Sequence, residues 1–577
     1  MKNKLNKSWI GSWSLFASVL EVFAQDLPPV PPSAPVYKPY LQIQEYARPA
    51  WSPDGKDLFL EGGLPEHHRL YRVPRAGGEP VDVLNRMHCG NPSVNRARNQ
   101  IAYNVFKPGV SLEIWTANLD GSSPHRVTKG GHNGAPEWSP DGSHISFLSF
   151  PECTLKIMPV EGGEAKTIGK SLSPGVWSPN GAQLAFVEGE QSAGRYQVTL
   201  LTVADGTRRT LGSTVATNMP DIMFYRMGLH FDWSPDGREL AWPVLVNGRL
   251  QLALIDVEGD RLSKTLPTEN SVSEPRFSPD GRWIAYVSQS CASPKAIRVI
   301  SREGSDDRPI TRPIEFVKPE FIRYPSAGGL EIPSFLLRPA GPAGTRRPAI
   351  VWLHGAVPNG ATLDWFDAAI QYFAGNGFVV IAPNYRPSAG FGAPVAAAAS
   401  GKDIADDVAA AAAYLKQMND VDPNRVSVLG TSFGGYAALR TITTYPSAFA
   451  AAVDLCGPCD LKALYRDVPE QRPGMTVLLG GSPEQQPERY RVESPVNAVD
   501  RITIPVLSIH GTADATIPCG QSRILAEALE KAGKRHRLLT YEGLGHGFPA
   551  PAWANAMQQA MSFLFEELKC EANLPLR

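Results

Sequence analysis

Short apolar runs, each introduced by the same polar turn, fill the first half of the chain. Pro49-Ala50-Trp51-Ser52-Pro53-Asp54-Gly55 leads into Leu58-Phe59-Leu60, and Pro136-Glu137-Trp138-Ser139-Pro140-Asp141-Gly142 leads into Ile145-Ser146-Phe147. The motif returns as Trp177-Ser178-Pro179-Asn180-Gly181, Trp233-Ser234-Pro235-Asp236-Gly237 and Phe277-Ser278-Pro279-Asp280-Gly281, the last ahead of Ile284-Ala285-Tyr286. A worn copy over 92–99 lacks the Trp and the Gly. From the Trp-equivalent positions 51, 94, 138, 177, 233 and 277, the spacings are 43, 44, 39, 56 and 44 residues. A period of about 40–50 residues is that of a β-propeller blade with four short strands. In the turn, Pro fixes φ and Gly accepts positive φ, and the Trp is expected to pack between blades. Six copies predict six blades, leaving room for a seventh too diverged to read; the residues between Leu211 and His230 read as an insertion.

Past Arg312 the pattern changes. Residues 313–325 read as a boundary, after which longer apolar strands alternate with helices, as in a parallel sheet. Strands are predicted at 349–354, 377–382, 425–429, 450–455, 505–509 and 537–541, and helices at 403–416, 436–444, 521–532 and 552–568. The chain is therefore read as all-β followed by α/β, with a β-propeller over 40–312 and a second domain over 313–577.

Composition changes this picture little at the core and more at the ends. Lys+Arg 56 against Asp+Glu 57 leaves a net charge of -1 in 577 residues, so no global field favours nucleic acid or an anionic membrane. No apolar run reaches the roughly 18 residues that a spanning helix needs. At the N-terminus, Lys2, Lys4 and Lys7 precede an apolar stretch over 9–20, and Val22-Phe23-Ala24 resembles a small-residue cleavage site. That pattern predicts a signal peptide over 1–24, export to the periplasm or the exterior, and a Pro-rich linker over 25–39. Cys89, Cys153, Cys291, Cys456, Cys459, Cys519 and Cys570 are too scattered for a disulfide scaffold, and their odd number leaves one outside any intrachain pair.

The chemistry lies in the second half. Leu429-Gly430-Thr431-Ser432-Phe433-Gly434-Gly435-Tyr436 is entered by a strand-like run and left by an Ala-rich helical one, the context of a Gly-x-Ser-x-Gly nucleophile elbow. Asp514 follows in His510-Gly511-Thr512-Ala513-Asp514, and His546 in Gly545-His546-Gly547-Phe548. Ser, Asp, His is the chain order of an α/β-hydrolase triad. Ser432 would attack a carbonyl, His546 would carry the proton, and Asp514 would orient the imidazole. Asp460 and, more weakly, Asp500 are rivals for the acid. The backbone N–H of Phe433, with a second donor near Gly355 or Ala356, would hold the oxyanion, and His354 is expected mainly to hold that loop. Cys456-Gly457-Pro458-Cys459 spells a thioredoxin tetrapeptide but follows a strand of the hydrolase sheet, so paired or free thiols shaping a loop are expected instead. No Cys/His cluster has zinc spacing and no Gly-x-x-x-x-Gly-Lys loop occurs, so neither a metal nor a cofactor is implied.

Taken together, these motifs resemble the prolyl oligopeptidase family of serine peptidases, in particular its acylaminoacyl-peptidase and dipeptidyl-peptidase-like branches. Further marks of the resemblance are Asn384-Tyr385-Arg386-Pro387-Ser388-Ala389-Gly390-Phe391-Gly392, Asp403-Ile404-Ala405-Asp406-Asp407, Ser494-Pro495 and the run from Ile504 to Gly511. The resemblance implies a propeller that admits and filters peptides ahead of a serine hydrolase. Two departures stand out. His354-Gly355-Ala356-Val357-Pro358 replaces the family's His-Gly-Gly-Pro, and the only Glu-Glu pair is Glu566-Glu567, far from the propeller where dipeptidyl peptidases hold a free amine. The reading is a serine peptidase acting on short peptides through an acyl-Ser432 intermediate. A carboxylesterase on the same triad and a non-catalytic binding propeller are the alternatives.

Overall fold

In the computed structural model the chain is described from Leu27 to Cys570, apart from residues 32–33, 38–39, 41, 65–66, 86–87, 108–110, 191–194, 217–229, 340, 343, 357–359 and 397–398. The signal-like segment over 1–24 and most of the insertion ahead of His230 lie outside the described residues. Two compact units emerge. One holds Gln42–Glu315 with Leu363–Phe366, and the other holds Phe316–Thr362, Asp367–Arg577 and the segment that precedes Gln42.

The first unit is a propeller of six four-stranded antiparallel blades among the described residues, at 45–82, 89–126, 132–170, 176–216, 232–266 and 271–309. A single parallel bridge, Leu112 to His132, joins the second blade to the third. Each Ser-Pro-Asp-Gly turn is built alike. The Ser52 hydroxyl donates to Asp54 Oδ1 at 2.7 Å and accepts from the Asp57 N–H at 2.9 Å, while Gly55 takes φ 68°. In the worn copy Asn99 supplies the left-handed residue, at φ 55°. Asn tolerates that region better than most side chains.

The Trp of the repeat stitches neighbouring blades through its indole N–H. Trp138 donates to the Ser93 carbonyl at 3.1 Å, Trp177 to Ser146 Oγ at 3.1 Å and Trp233 to the Val176 carbonyl at 3.3 Å. Each reaches the preceding blade, and Trp51 of blade 1 reaches blade 6. Blades 1 and 6 share no strand. The ring therefore closes through side-chain contacts, with Trp51, Leu58, Leu60, Val287, Ile297 and Val299 in one buried cluster and Arg48 paired with Glu274 across the seam.

The second unit is an α/β-hydrolase. Its sheet comprises β1 (Pro319–Pro325), β2 (Glu331–Leu337), β3 (Arg347–Leu353), β4 (Val379–Pro383), β5 (Val421–Thr431), β6 (Ala451–Leu455), β7 (Val506–Gly511) and β8 (His536–Tyr541). The spatial order is β1-β2-β4-β3-β5-β6-β7-β8, parallel from β4 onward, with β1 and β2 forming an antiparallel edge. The sequence pattern did not reveal that edge. β1 is half-exposed and has no continuous apolar run, and β2 carries Pro333, a residue that argues against a strand.

The proline-rich segment, expected to be a linker, runs as a docked arm on this unit. Proline offers a carbonyl but no N–H, and side-chain donors take those carbonyls. Asn555 Nδ2 donates to Pro28 O at 2.9 Å, Gln559 Nε2 to Pro29 O at 2.9 Å and the Tyr372 hydroxyl to Pro35 O at 2.7 Å. Tyr37 is buried against the Tyr372 ring, centroids 4.7 Å apart.

Candidate active site

Ser432 stands between β5 and the helix α1 (Phe433–Thr444), at φ 57° and ψ -120°. A non-glycine residue in that region is strained, and the neighbours hold it there. The Ser432 N–H donates to Leu455 O at 2.7 Å. The flanking glycines are required by space. A Cβ on Gly430 would lie 2.0 Å from Gly434 O, one on Gly434 2.3 Å from Leu353 O, and one on Gly435 2.3 Å from Asp454 Oδ1. The turn can be this tight only because no side chain intervenes.

Asp514 and His546 come from the loops after β7 and β8. These loops are laced together by Ala513 N–H to Leu544 O at 2.9 Å and Gly543 N–H to Thr512 Oγ1 at 2.8 Å. His546 Nδ1 lies 2.6 Å from Asp514 Oδ2, and His546 Nε2 lies 2.9 Å from Ser432 Oγ. The structure thus brings Ser432, His546 and Asp514 into one hydrogen-bonded row. Asp514 is buried, which by itself would raise its pKa. Hydrogen bonds from His510 and His546, and the Ile517 N–H, overcome the burial and hold it at about 2. An ionised carboxylate is the state that can stabilise an imidazolium on His546.

The rival acids are otherwise engaged. Asp460 caps a short helix through the Ala463 N–H at 3.0 Å, and Asp500 is exposed.

For the oxyanion, the structure places Gly355 against the elbow, where a Cβ on it would be 3.2 Å from Ser432 Cβ and 3.8 Å from Phe433 N. Ala356 takes φ 61°, the left-handed conformation that a glycine would adopt freely. His354 secures this loop. Its Nδ1–H donates to Gly355 O at 2.9 Å and its Nε2 lies 2.9 Å from Ser388 Oγ. Burial lowers its pKa to about 4 and keeps the ring neutral.

The run from Asn384 to Gly392, noted in the sequence only as a family mark, is what supports the loop. The Tyr385 hydroxyl donates to His354 O at 2.6 Å, Asn384 brackets Thr362 at 2.7 and 3.0 Å, and Arg386 grips Asp407 with two contacts of 2.8 Å. Sequence reasoning did not single out His510 either, although it stands four residues before Asp514.

Cys456 and Cys459 point to different partners, Ile509 O at 3.7 Å and Gln521 O at 3.1 Å, and burial pushes both thiols up. No disulfide joins them, so they shape the loop after β6 as separate thiols. Cys456, His510 and Asp514 offer donor atoms within 4.8 Å of one another, the sole such group among the described residues. His510 and Asp514 are already committed to the hydrogen bonds that support the row. No described helix is long and apolar enough to cross a membrane.

The prolyl oligopeptidase family model matches residues 364–570. The uncharacterized peptidase YtmA of Bacillus subtilis is 29% identical over 248 residues, 42% of this chain and 92% of that one. Dipeptidyl aminopeptidase BIII of Pseudoxanthomonas mexicana is 28% identical over 212 residues, 35% of this chain. That match spans only 31% of the relative's own length. Among solved structures, the acylaminoacyl peptidase of Pyrococcus horikoshii superposes with a TM-score of 0.71 at 16% identity, covering 93% of this chain and 97% of that one. The architecture of propeller plus hydrolase is therefore shared along nearly the whole chain.

Proposed function

We propose that this chain, whose residues 364–570 form a serine-peptidase domain of the prolyl oligopeptidase family, cleaves short peptides by acyl transfer to Ser432. The observation that carries the reading is His546, hydrogen-bonded to Ser432 Oγ at 2.9 Å and to Asp514 at 2.6 Å. His546 Nε2 accepts the Ser432 proton as Oγ attacks the scissile carbonyl, then returns it to the leaving amine. Water repeats the cycle on the acyl-enzyme. The Phe433 N–H and a donor from the Gly355–Ala356 loop receive the oxyanion; one such donor is worth about 3–4 kcal/mol in the transition state.

Substrates blocked at the N-terminus fit this chain better than a strict dipeptidyl mode. Two inner-strand glutamates of the propeller are already taken by guanidinium groups, Glu137 by Arg276 and Glu274 by Arg48. Neither is left to clamp a substrate's free amine. The closed ring acts as a size filter, and the N-terminal Lys-rich and apolar pattern over 1–24 directs export.

A fluorogenic panel of short peptides, free and blocked at the N-terminus, tests the substrate class with Ser432→Ala as control. Cleavage of blocked peptides at least as fast as free ones is expected. Turnover of p-nitrophenyl esters without any peptide cleavage would replace the reading with a carboxylesterase. N-terminal sequencing of mature protein, expected to start near Gln25, tests export.

A further inference from the structure

We propose that His510 is a positioning residue of the triad, a second histidine on the Asp514 carboxylate that holds it in place for His546. This rests on the triad reading above.

His510 is the fifth residue of β7 and is fully buried. Its Nε2 lies 2.8 Å from Ile517 O and 3.3 Å from Asp514 Oδ2. A carbonyl oxygen only accepts, so this nitrogen carries a hydrogen and shares it between the two oxygens. Its Nδ1 lies 2.7 Å from Ser522 Oγ, which donates to it when the ring is neutral. Both nitrogens are therefore assigned, and the ring cannot turn without breaking a contact.

Asp514 Oδ1 accepts from the N–H groups of Thr516 and Ile517 at 2.8 and 2.9 Å. Oδ2 is the oxygen that receives His546 Nδ1–H at 2.6 Å. His510 bears on this second oxygen, and through Ile517 O it also pins the far end of the turn that supplies the Oδ1 donors. Without it, Oδ2 would be oriented by His546 alone. The donor also withdraws basicity from the carboxylate. Removing it makes Asp514 a stronger partner for the imidazolium of His546, so the acidic limb of the rate profile moves to higher pH. The charged and titratable groups facing His510 are Asp514 on its own loop, the buried Asp454 on β6 and Cys456 just after β6. Ser522 is neutral.

The test compares His510→Leu and His510→Asn, which lose the contact to Asp514, with His510→Gln, whose amide nitrogen reaches the Nε2 position. Turnover of a p-nitrophenyl ester and the rate of fluorophosphonate labelling at Ser432 are measured from pH 5 to 9. For Leu and Asn, kcat should fall roughly tenfold to hundredfold, as for other supporting hydrogen bonds, with KM within about twofold. The acidic limb should move to higher pH, and Gln should recover most of the rate and the limb. If Leu does not fold, Asn against Gln decides. Rates and limb unchanged in Leu and Asn would overturn the proposal, and so would Gln failing as badly as they do. Wild type that no probe labels at Ser432 would instead sink the triad reading, a result separable from either.

Discussion

The indole N–H of Trp51 donates to the backbone carbonyl of Arg276 at 2.9 Å, across 225 positions of the chain. This bond ties the first blade to the sixth. With no strand exchanged between them, the seam is held by that contact, the Arg48–Glu274 ion pair, the Arg308 guanidinium on Arg75 O and the apolar side chains around them.

Trp51→Phe keeps most of the apolar volume and removes the donor to Arg276 O. A hydrogen bond of this kind contributes about 0.5–1.5 kcal/mol. Trp233→Phe breaks a longer bond, 3.3 Å, and should cost less. Urea unfolding of both variants, followed by tryptophan fluorescence, checks the order. Equal midpoints for the two would mean that closure does not depend on the Trp51 contact.

The repeats were legible because each turn spends the same chemistry on the same geometry, and the triad because elbow, acid and base each follow a strand. The antiparallel edge β1–β2 was not, since a half-exposed strand and one carrying Pro333 lack the apolar signature. The docking of the proline arm was hidden for another reason. Its partners, Tyr372, Asn555 and Gln559, lie hundreds of residues away and carry no pattern of their own. His510 was in plain view in the run that ends at Asp514, yet its role depends on Ile517 and Ser522 being folded around it.

Gly430→Ala and Gly434→Ala should each abolish labelling of Ser432 by a fluorophosphonate. Their new methyl groups would meet backbone oxygens at 2.0 and 2.3 Å, and backbone cannot step aside as a flexible side chain can. Gly474→Ala is the contrast. Nothing lies within 4 Å of its Cβ position inside a helix, so stability should rise by about 0.4–1 kcal/mol with labelling intact. Labelling that survives at Gly430→Ala would show that the elbow is looser than its geometry.

Ala356 offers a finer test of the oxyanion loop. An L-residue in the left-handed region costs roughly 1–2 kcal/mol, against about 0.4–1 kcal/mol for the extra chain entropy of a glycine. Ala356→Gly should therefore leave stability unchanged or slightly higher and preserve turnover. Ala356→Val adds β-branching at φ 61° and should lower kcat at least tenfold by moving the second oxyanion donor. Thermal melts and ester turnover of the two variants give the answer. A valine variant as active as wild type would take Ala356 out of the oxyanion hole.

The buried Asp454 makes stability fall as pH rises toward neutrality. Desolvation raises its pKa to about 7, opposed by the charge of His510 and by hydrogen bonds from the Gly457 N–H and Ser508. In the unfolded chain an aspartate titrates near 3.9, so between about pH 4 and 7 the folded state holds a proton that the unfolded state has released. Stability from this group is complete below pH 4 and is lost progressively as pH climbs through 7. Asp514 acts in the opposite direction in a lower window. Its pKa of about 2 gives stability that is present above pH 4 and lost as pH falls toward 2. Asp454→Asn keeps an oxygen for the Gly457 N–H and removes the titration. The variant should match wild type near pH 4.5 and exceed it at pH 8, by roughly 3–4 kcal/mol. Denaturant midpoints at the two pH values measure the gap. A gap of the same size at both would mean that Asp454 is already ionised in the folded protein at pH 4.5, with His510 as its charged partner.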